Sequence, residues 1–397
     1  MFLIQDGHQT HTHVEAALAA GSAEGIIWSL GDETPANLAA NITAPYMEDA
    51  VQAIDPQVYV APLADANPKK IPDHSIFDVP MRPRDFAARN LGDLVERVLS
   101  FQANQAITHV LSPTVGIASM ADRWSEVAAN LADTSIADWA NRDDSRPLLI
   151  SVAVQEALLA DPENVDALLD ELTSYECEGF YLLMERNPNT DAAESAVLLE
   201  RALYIVYALT QLNGYEVWVG YAGLNGFVFR AVGAQAFGAG WWQKTNWWSP
   251  SHWTPGAGGR QPRPRIHLES IIGSLLIDAE LRPLSRQRTD AALATDLLAG
   301  AGPLSADFVN GRGYDGAYDR AEMIAQGFAV CGALDGRITG NFGDDMSRIL
   351  DDIADAEVLH RRIQDVGVQL EQASRLTALT VWQTAITALS QRLGQSF

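Results

Sequence analysis

The sequence predicts an α/β protein, a (β/α)8 barrel of the TIM type over residues 1–282, with a helical C-terminal extension over 283–397. Three observations lead there. Short β-rich apolar runs alternate with longer amphipathic stretches, eight such runs can be counted, and the alternation stops after Leu281. Eight strands, each followed by a helix within about 250 residues, is the arithmetic of that barrel. A doubly wound open sheet fits the same rhythm, because periodicity does not report closure.

In chain order the strands are expected at 2–6, 25–30, 57–62, 107–112, 148–154, 179–184, 216–221 and 236–240. Helices are expected near 13–20, 36–53, 85–105, 121–141, 163–174, 192–213 and 225–233, with an eighth at 267–280. Pro35, Pro162 and Asp191 stand near helix starts, where a fixed φ or a capping carboxylate is favourable. Gly21, Gly214 and Gly233 stand near helix ends. From Met346 to Leu393, apolar residues such as Ile349, Ile353, Ile363, Leu379, Trp382, Ile386 and Leu389 recur at spacings of three and four. Such a face packs on the barrel's own helices or on a partner chain, including a second copy.

Composition narrows the function. With 51 acidic against 27 basic residues the net charge is -24, so most of the surface repels a phosphate backbone and extensive nucleic-acid binding is not expected. The two cysteines, Cys177 and Cys331, make neither a disulfide framework nor a zinc site. The N-terminal residues lack the pattern of a secretory signal, and no apolar run is long enough to cross a bilayer, so a cytoplasmic protein is the default expectation. Only Lys69, Lys70 and Lys244 are lysines among the 27 basic residues.

Four groups of residues could carry chemistry. The first is His8, His11 and His13, just after the first strand. The His-x-His spacing resembles the start of amidohydrolase-type metal hydrolases, and that resemblance implies a divalent ion on the imidazoles. The later histidines and the strand 8 Asp of that family have no counterpart: strands 5, 6 and 8 lead into Gln155-Glu156, Glu185-Arg186 and Trp241-Trp242. The alternative is histidines that cap a helix or line a pocket.

The second is Gly223-Leu224-Asn225-Gly226, then Arg230 to Ala234, then Gly238-Ala239-Gly240. Over about 20 residues this layout resembles the end of phosphate-binding barrels, among them FMN oxidoreductases and tRNA-guanine transglycosylases. The resemblance implies backbone amides around Gly223, Asn225, Gly226 and Gly240 that receive an anion at a helix start. The double glycine common there is Ala222-Gly223 here, and the transglycosylases' cysteine-rich zinc site has no counterpart. The bland alternative is glycines that let a helix approach the sheet.

The third is aromatic. Trp241, Trp242, Trp247, Trp248 and Trp253 place five of ten tryptophans within thirteen residues, beside Gln243, Lys244 and His252. Such a loop covers a ligand, docks a partner, or packs as a lid; its rings suit nucleobases, sugars and flavins. A glycine-rich hinge follows, with Arg260, Arg263 and Arg265 suited to phosphate or carboxylate. The fourth is the acids at strand ends, Asp6 and Glu185, with Asp32 and Asp65 nearby. Asp6, Glu185 and Lys244 are the candidate catalytic residues, with Trp241, Trp242, Gln243 and Arg260 around a small-molecule or nucleotide-like ligand. No particular cofactor is specified. This equipment suits a transferase or hydrolase performing base exchange or glycosidic cleavage. Two other expectations stand beside it: a non-catalytic barrel that binds or assembles through the tryptophan loop and C-terminal helices, and the metal-dependent hydrolase.

Overall fold

The computed structural model describes residues 1–7, 9–186, 195–254, 263–286, 291–299, 319–371, 374, 377–395 and 397. His8, Asp191 and Arg260 lie outside the described residues, as does the side chain of Gln243.

Nine parallel strands form one sheet: β1 (Phe2–Gln5), β2 (Gly25–Ser29), β3 (Val51–Asp55), β4 (Val110–Leu111), β5 (Gly116–Ile117), β6 (Leu148–Val154), β7 (Gly179–Met184), β8 (Glu216–Gly220) and β9 (Ala236–Ala239). Their order is β3-β2-β1-β9-β8-β7-β6-β4, with β5 also on β6. Counting β4 and β5 as one interrupted strand, this is a nearly closed eight-stranded barrel. At the seam between β3 and β4 no ladder forms, but the amides of Thr108 and His109 both donate to the Gln52 carbonyl, at 2.9 and 3.0 Å. Almost every strand residue is buried, as expected where helices cover the outside and side chains fill the inside.

Around the barrel run α1 (His11–Ala19), α2 (Pro35–Ile42), α3 (Ala88–Ala103), α4 (Arg123–Ala140), α5 (Glu156–Leu159), α6 (Pro162–Leu172), α7 (Ala196–Tyr207) and α8 (Gly226–Val232). Their starts follow capping chemistry: Thr34, Asp122, Asp161 and Ser195 each accept a first-turn amide, and Pro35 and Pro162 take the position that needs no donor. Gly21, Gly214 and Gly233 adopt positive φ after helices, which a side chain resists.

Three sequence expectations are corrected. The third strand is Val51–Asp55, not 57–62, and it lies partly within the stretch expected to be helical over 36–53. Pro45 disfavours continuation of α2, which ends at Ile42, while Gln57 turns left-handed (φ 54°) and bends Val58–Val60 into a 3-10 turn despite their β-forming side chains. The fourth strand shrinks from 107–112 to Val110–Leu111 because Pro113 brings no amide hydrogen to the ladder; β5 then resumes pairing with β6. The segment 267–280 is not one helix: only a 3-10 turn at Glu269–Ile271 and the start of a π-helical stretch, Ile277–Leu281, are helical in it. Arg265–Leu268 (β10) and Gly273–Leu276 (β11) form an antiparallel hairpin, in which buried Ile266 and Leu268 flank a less buried His267 with a period of two.

After the hairpin come α9 (Arg282–Arg286), α10 (Ala291–Leu297), α11 (Arg320–Asp335), α12 (Phe342–Asp365) and α13 (Thr377–Leu393). The outer position between α8 and α1 belongs to α11, which touches both helices and β1. It is fixed there by Asp335, which binds Arg230 of α8 at 2.6 Å and the Met1 ammonium at 3.5 Å. Helix α13 packs on α7, and α12 on α8, burying Met346, Ile349, Ile353, Trp382, Ile386 and Leu389 in the same apolar core as the barrel. The chain itself therefore covers this amphipathic face. Among the described residues no helix is long and apolar enough to cross a membrane.

Candidate active site at the barrel mouth

The carboxyl ends of the strands open on one face, where a barrel collects residues remote in sequence. Beneath that face lies a buried polar box. The Tyr59 hydroxyl donates to Asp55 Oδ2 at 2.8 Å, the Tyr181 hydroxyl reaches the same oxygen at 3.5 Å, and the Gln57 amide donates to Oδ1 at 3.0 Å. Tyr221 closes the box, 3.5 Å from the Tyr59 hydroxyl and accepting from Gln57 Nε2 at 3.1 Å. Glycines make the space. A Cβ on Gly220 would overlap the Tyr181 hydroxyl, and one on Gly238 would press on Gln5 Oε1. Gln57 and Tyr221 both sit at positive φ (54° and 51°), local strain that the surrounding hydrogen bonds hold in place.

Burial raises the Asp55 carboxyl to about 6, against the lowering effect of the hydroxyls and amide that bind it. The same burial, next to that carboxyl, raises Tyr59, Tyr181 and Tyr221 well above the usual phenol, so they stay protonated donors. A carboxyl that titrates near neutrality at a strand end is equipped to transfer protons.

Asp6 is fully buried and spends both oxygens on backbone amides, Gly7 at 2.8 Å and Ser29 at 3.1 Å. It ties the end of β1 to β2. Its carboxyl is raised by burial first, then by Glu33 and Asp32; Glu185 is not among the causes. His11 Nδ1 lies 2.8 Å from Glu33 Oε1, and His13 meets the edge of the Trp241 ring. No three ligand-type side chains are grouped to hold a metal ion among the described residues. Asp32 does not cap α2, a role taken by Thr34; it holds Lys69 Nζ with both oxygens at 2.8 Å.

The tryptophan segment folds down over the mouth. Trp248 bridges to Glu185, its carbonyl takes the Arg186 amide at 3.1 Å, and the Tyr59 ring stands edge-on between Trp248 and Trp253, at 5.5 and 5.3 Å. Trp247, Trp248 and Trp253 are at most 3% exposed, so they present no aromatic docking face; Trp241 and Trp242 are half-buried. Arg320 of α11 lies over the Trp241 ring. The indole nitrogens of Trp241, Trp247, Trp248 and Trp253 and the Nε2 of His252 are buried without a partner among the described residues. Each such orphan costs about 1–3 kcal/mol, which a bound acceptor relieves.

His252 is held neutral, its imidazole lowered to about 3 by burial and then by the charges of Lys244 and Lys69. A base depressed in the folded state loses stability as pH falls below its unfolded value of 6.5. Between pH 7.5 and 5, His252 alone is expected to withdraw about 2 kcal/mol. Urea titrations of the protein and of His252→Phe at both pH values check this. The stability gap between the two proteins shifts by that amount in favour of the variant at pH 5; a gap independent of pH would contradict it.

Around the glycines, protein atoms fill the space. Gly223, at φ 56°, faces the Asn246 carbonyl and the Arg186 guanidinium, and Gly240 faces Thr245. Gly226 lets α8 rest on the Phe237 ring. Asn225 is buried and its Oδ1 accepts the Trp382 indole at 2.7 Å. Arg263 and Arg265 both pair with Glu371. Glu185 accepts the Glu156 amide at 3.2 Å and the Ser249 hydroxyl at 3.3 Å, and burial raises its carboxyl. Beside it a cavity of about 30 Å³, walled by Met184, Leu198, Val219 and Phe229, has room for water alone.

The candidate residues thus divide. Asp6 and Lys244 lie on the β1–β2 side with Asp32 and Lys69; Glu185, Gly223 and Asn225 lie on the β7–β8 side; the tryptophan segment spans both. Sequence reasoning missed Asp55, Gln57, Tyr59, Tyr181 and Tyr221. Correct placement of β3 would have put Asp55 at a strand end, the same signal that singled out Asp6. Comparison with protein-family models and with curated proteins finds no match for this chain.

Proposed function

We propose that the chain is a barrel enzyme acting on a nucleobase-containing ligand at this mouth, by glycosidic cleavage or base exchange. The observation that carries the reading is the Asp55 box: a carboxyl raised to about 6, ringed by tyrosine donors, at a strand end beside the partnerless indoles of Trp248 and Trp253, whose rings flank Tyr59. A heterocycle brings the acceptor atoms those donors lack and a flat face for tryptophan and tyrosine. Asp55 would protonate the departing base, and Glu185 would oppose the positive charge that develops on the sugar. Asp6 would hold β1 and β2 in register. Access for the ligand would require the tryptophan segment to lift from Tyr59.

Charge favours a neutral ligand over a phosphorylated one. Of the cations around the opening, Lys69 is already neutralised by Asp32, and Arg186 is engaged by the Tyr221 and Asn246 carbonyls. Thermal unfolding with free bases, nucleosides and nucleoside monophosphates tests the reading. A nucleoside at 100 times its dissociation constant stabilises by about 2.7 kcal/mol, and its monophosphate is expected to do less. If no member of the panel raises the transition, the reading is wrong.

A further inference from the structure

We propose that the cavity beside Glu185 holds the water molecule that takes up the sugar, with Asn225 Nδ2 donating to it and the Glu185 carboxylate accepting from it, so that the site hydrolyses its ligand rather than exchanging the base. This rests on the glycosidic reading and selects one of the two outcomes that reading allows.

The cavity measures about 30 Å³. One water needs about 10–15 Å³ and two to four polar partners, and a cavity with apolar walls alone stays dry. Met184, Leu198, Val219 and Phe229 are such walls, but Asn225 and Glu185 line the same space. Asn225 is fully buried, and its Oδ1 accepts the Trp382 indole at 2.7 Å. An indole nitrogen only donates, so this bond fixes which end of the amide is oxygen. It leaves Nδ2, a donor with no protein partner among the described residues, for the cavity that Asn225 lines. Glu185 takes the Glu156 amide at 3.2 Å and the Ser249 hydroxyl at 3.3 Å. A carboxylate has about four lone-pair positions, so acceptor capacity remains. A molecule that both accepts and donates, and is no larger than water, satisfies both residues.

Position links this water to the chemistry. Gly220 and Tyr221 line the cavity and also wall the Asp55 box: the Tyr221 hydroxyl stands 3.5 Å from that of Tyr59, and a Cβ on Gly220 would overlap the Tyr181 hydroxyl. The proton donor and the water therefore lie on opposite sides of two residues at the end of β8. Burial raises the Glu185 carboxyl, which helps it keep a proton taken from water. In the reaction the glycosidic C–N bond breaks with its electron pair going to the base, and the base takes the Asp55 proton. The water oxygen then bonds to the cationic sugar carbon and its proton passes to Glu185. One water is consumed, free base and free sugar form, and nothing is oxidised or reduced.

The test incubates the full chain with adenosine, guanosine, uridine and cytidine, each beside its own ¹⁵N-labelled free base, and follows sugar release and label entry into the nucleoside by mass spectrometry. Because the water is already positioned, sugar is expected to appear at least about tenfold faster than label enters. Val219 is 1% exposed, and Val219→Ile adds one methylene to the cavity wall without altering Asn225, Glu185 or the box. It is expected to keep the nucleoside-induced thermal shift while sugar release falls about tenfold relative to exchange, as the held water is displaced. Should that variant not fold, a crystal structure of the unaltered chain at a resolution that shows ordered water decides: a water within hydrogen-bond reach of Asn225 Nδ2 is expected. Label entering as fast as sugar appears, an unchanged ratio in Val219→Ile, or a dry cavity overturns the inference and leaves the glycosidic reading standing. Turnover of none of the four nucleosides overturns both.

Discussion

Trp382→Ala is expected to destabilise the whole chain by about 4 kcal/mol, the range for removing a fully buried aromatic ring. Trp382 is 1% exposed, stands edge-on to Phe227 of α8 at 5.2 Å, and donates its indole hydrogen to Asn225 at 2.7 Å. Truncation opens a cavity between α13 and the barrel, and it also leaves Asn225, whose Nδ2 already lacks a partner, with no side-chain hydrogen bond. Trp382→Phe separates the two losses, since it keeps most of the apolar surface and gives up only the hydrogen bond, at about 1–2 kcal/mol. Urea unfolding followed by circular dichroism reads both. A single transition shifted to lower denaturant in each variant is the expected pattern, because α11 and α13 share one core with the barrel. A change under about 1 kcal/mol for the alanine variant would mean that α13 is not seated on α8 in solution.

That shared core bears on what the sequence could disclose. Strands at 148–154 and 179–184 are legible to the residue, because runs such as Leu-Leu-Ile-Ser-Val-Ala-Val are buried on both faces and bounded by polar turns. Val51–Asp55 is illegible for the opposite reason: Gln52 and Asp55 break its apolar run, and their partners are long-range. Gln52 takes the Trp28 indole at 3.0 Å, and Asp55 takes Tyr59 and Tyr181. A polar side chain looks like a surface position until the tertiary partner that satisfies it is known. The outer position of α11 is hidden likewise, for nothing in residues 320–335 announces that the chain returns past the hairpin to lie between α8 and α1. At the mouth, composition pointed to the tryptophan segment but not to its direction. The five tryptophans suit a ligand cover, a docking face or a lid equally well in one dimension. Burial of Trp247, Trp248 and Trp253 against Tyr59 and Glu185 selects the inward-facing arrangement.

Asp55→Asn is expected to lower turnover by about 10²–10⁴ while leaving the nucleoside-induced thermal shift in place, the signature of a lost proton donor rather than a lost binding contact. The amide keeps the size of the carboxyl and can still accept from Tyr59 and Tyr181 through its oxygen; its NH2 then turns to the Gln57 amide and gives up that one hydrogen bond, so the box should survive with some loss of stability. The pH dependence fixes the role. As general acid, Asp55 must carry a proton, and its carboxyl titrates at about 6. On the proposed reading, the kcat/KM of the unaltered protein should therefore be level below pH 6 and fall about tenfold per unit above it. The residual rate of the Asn variant should lack that limb. Tyr59→Phe supplies a second reading of the same group. It removes the 2.8 Å hydroxyl donor, which holds the Asp55 carboxyl down, so the limb should move to higher pH. A limb that rises through pH 6 instead would make Asp55 a base, and an Asn variant with full turnover would remove it from the chemistry altogether, leaving the box as a polar support for the strained turns at Gln57 and Tyr221.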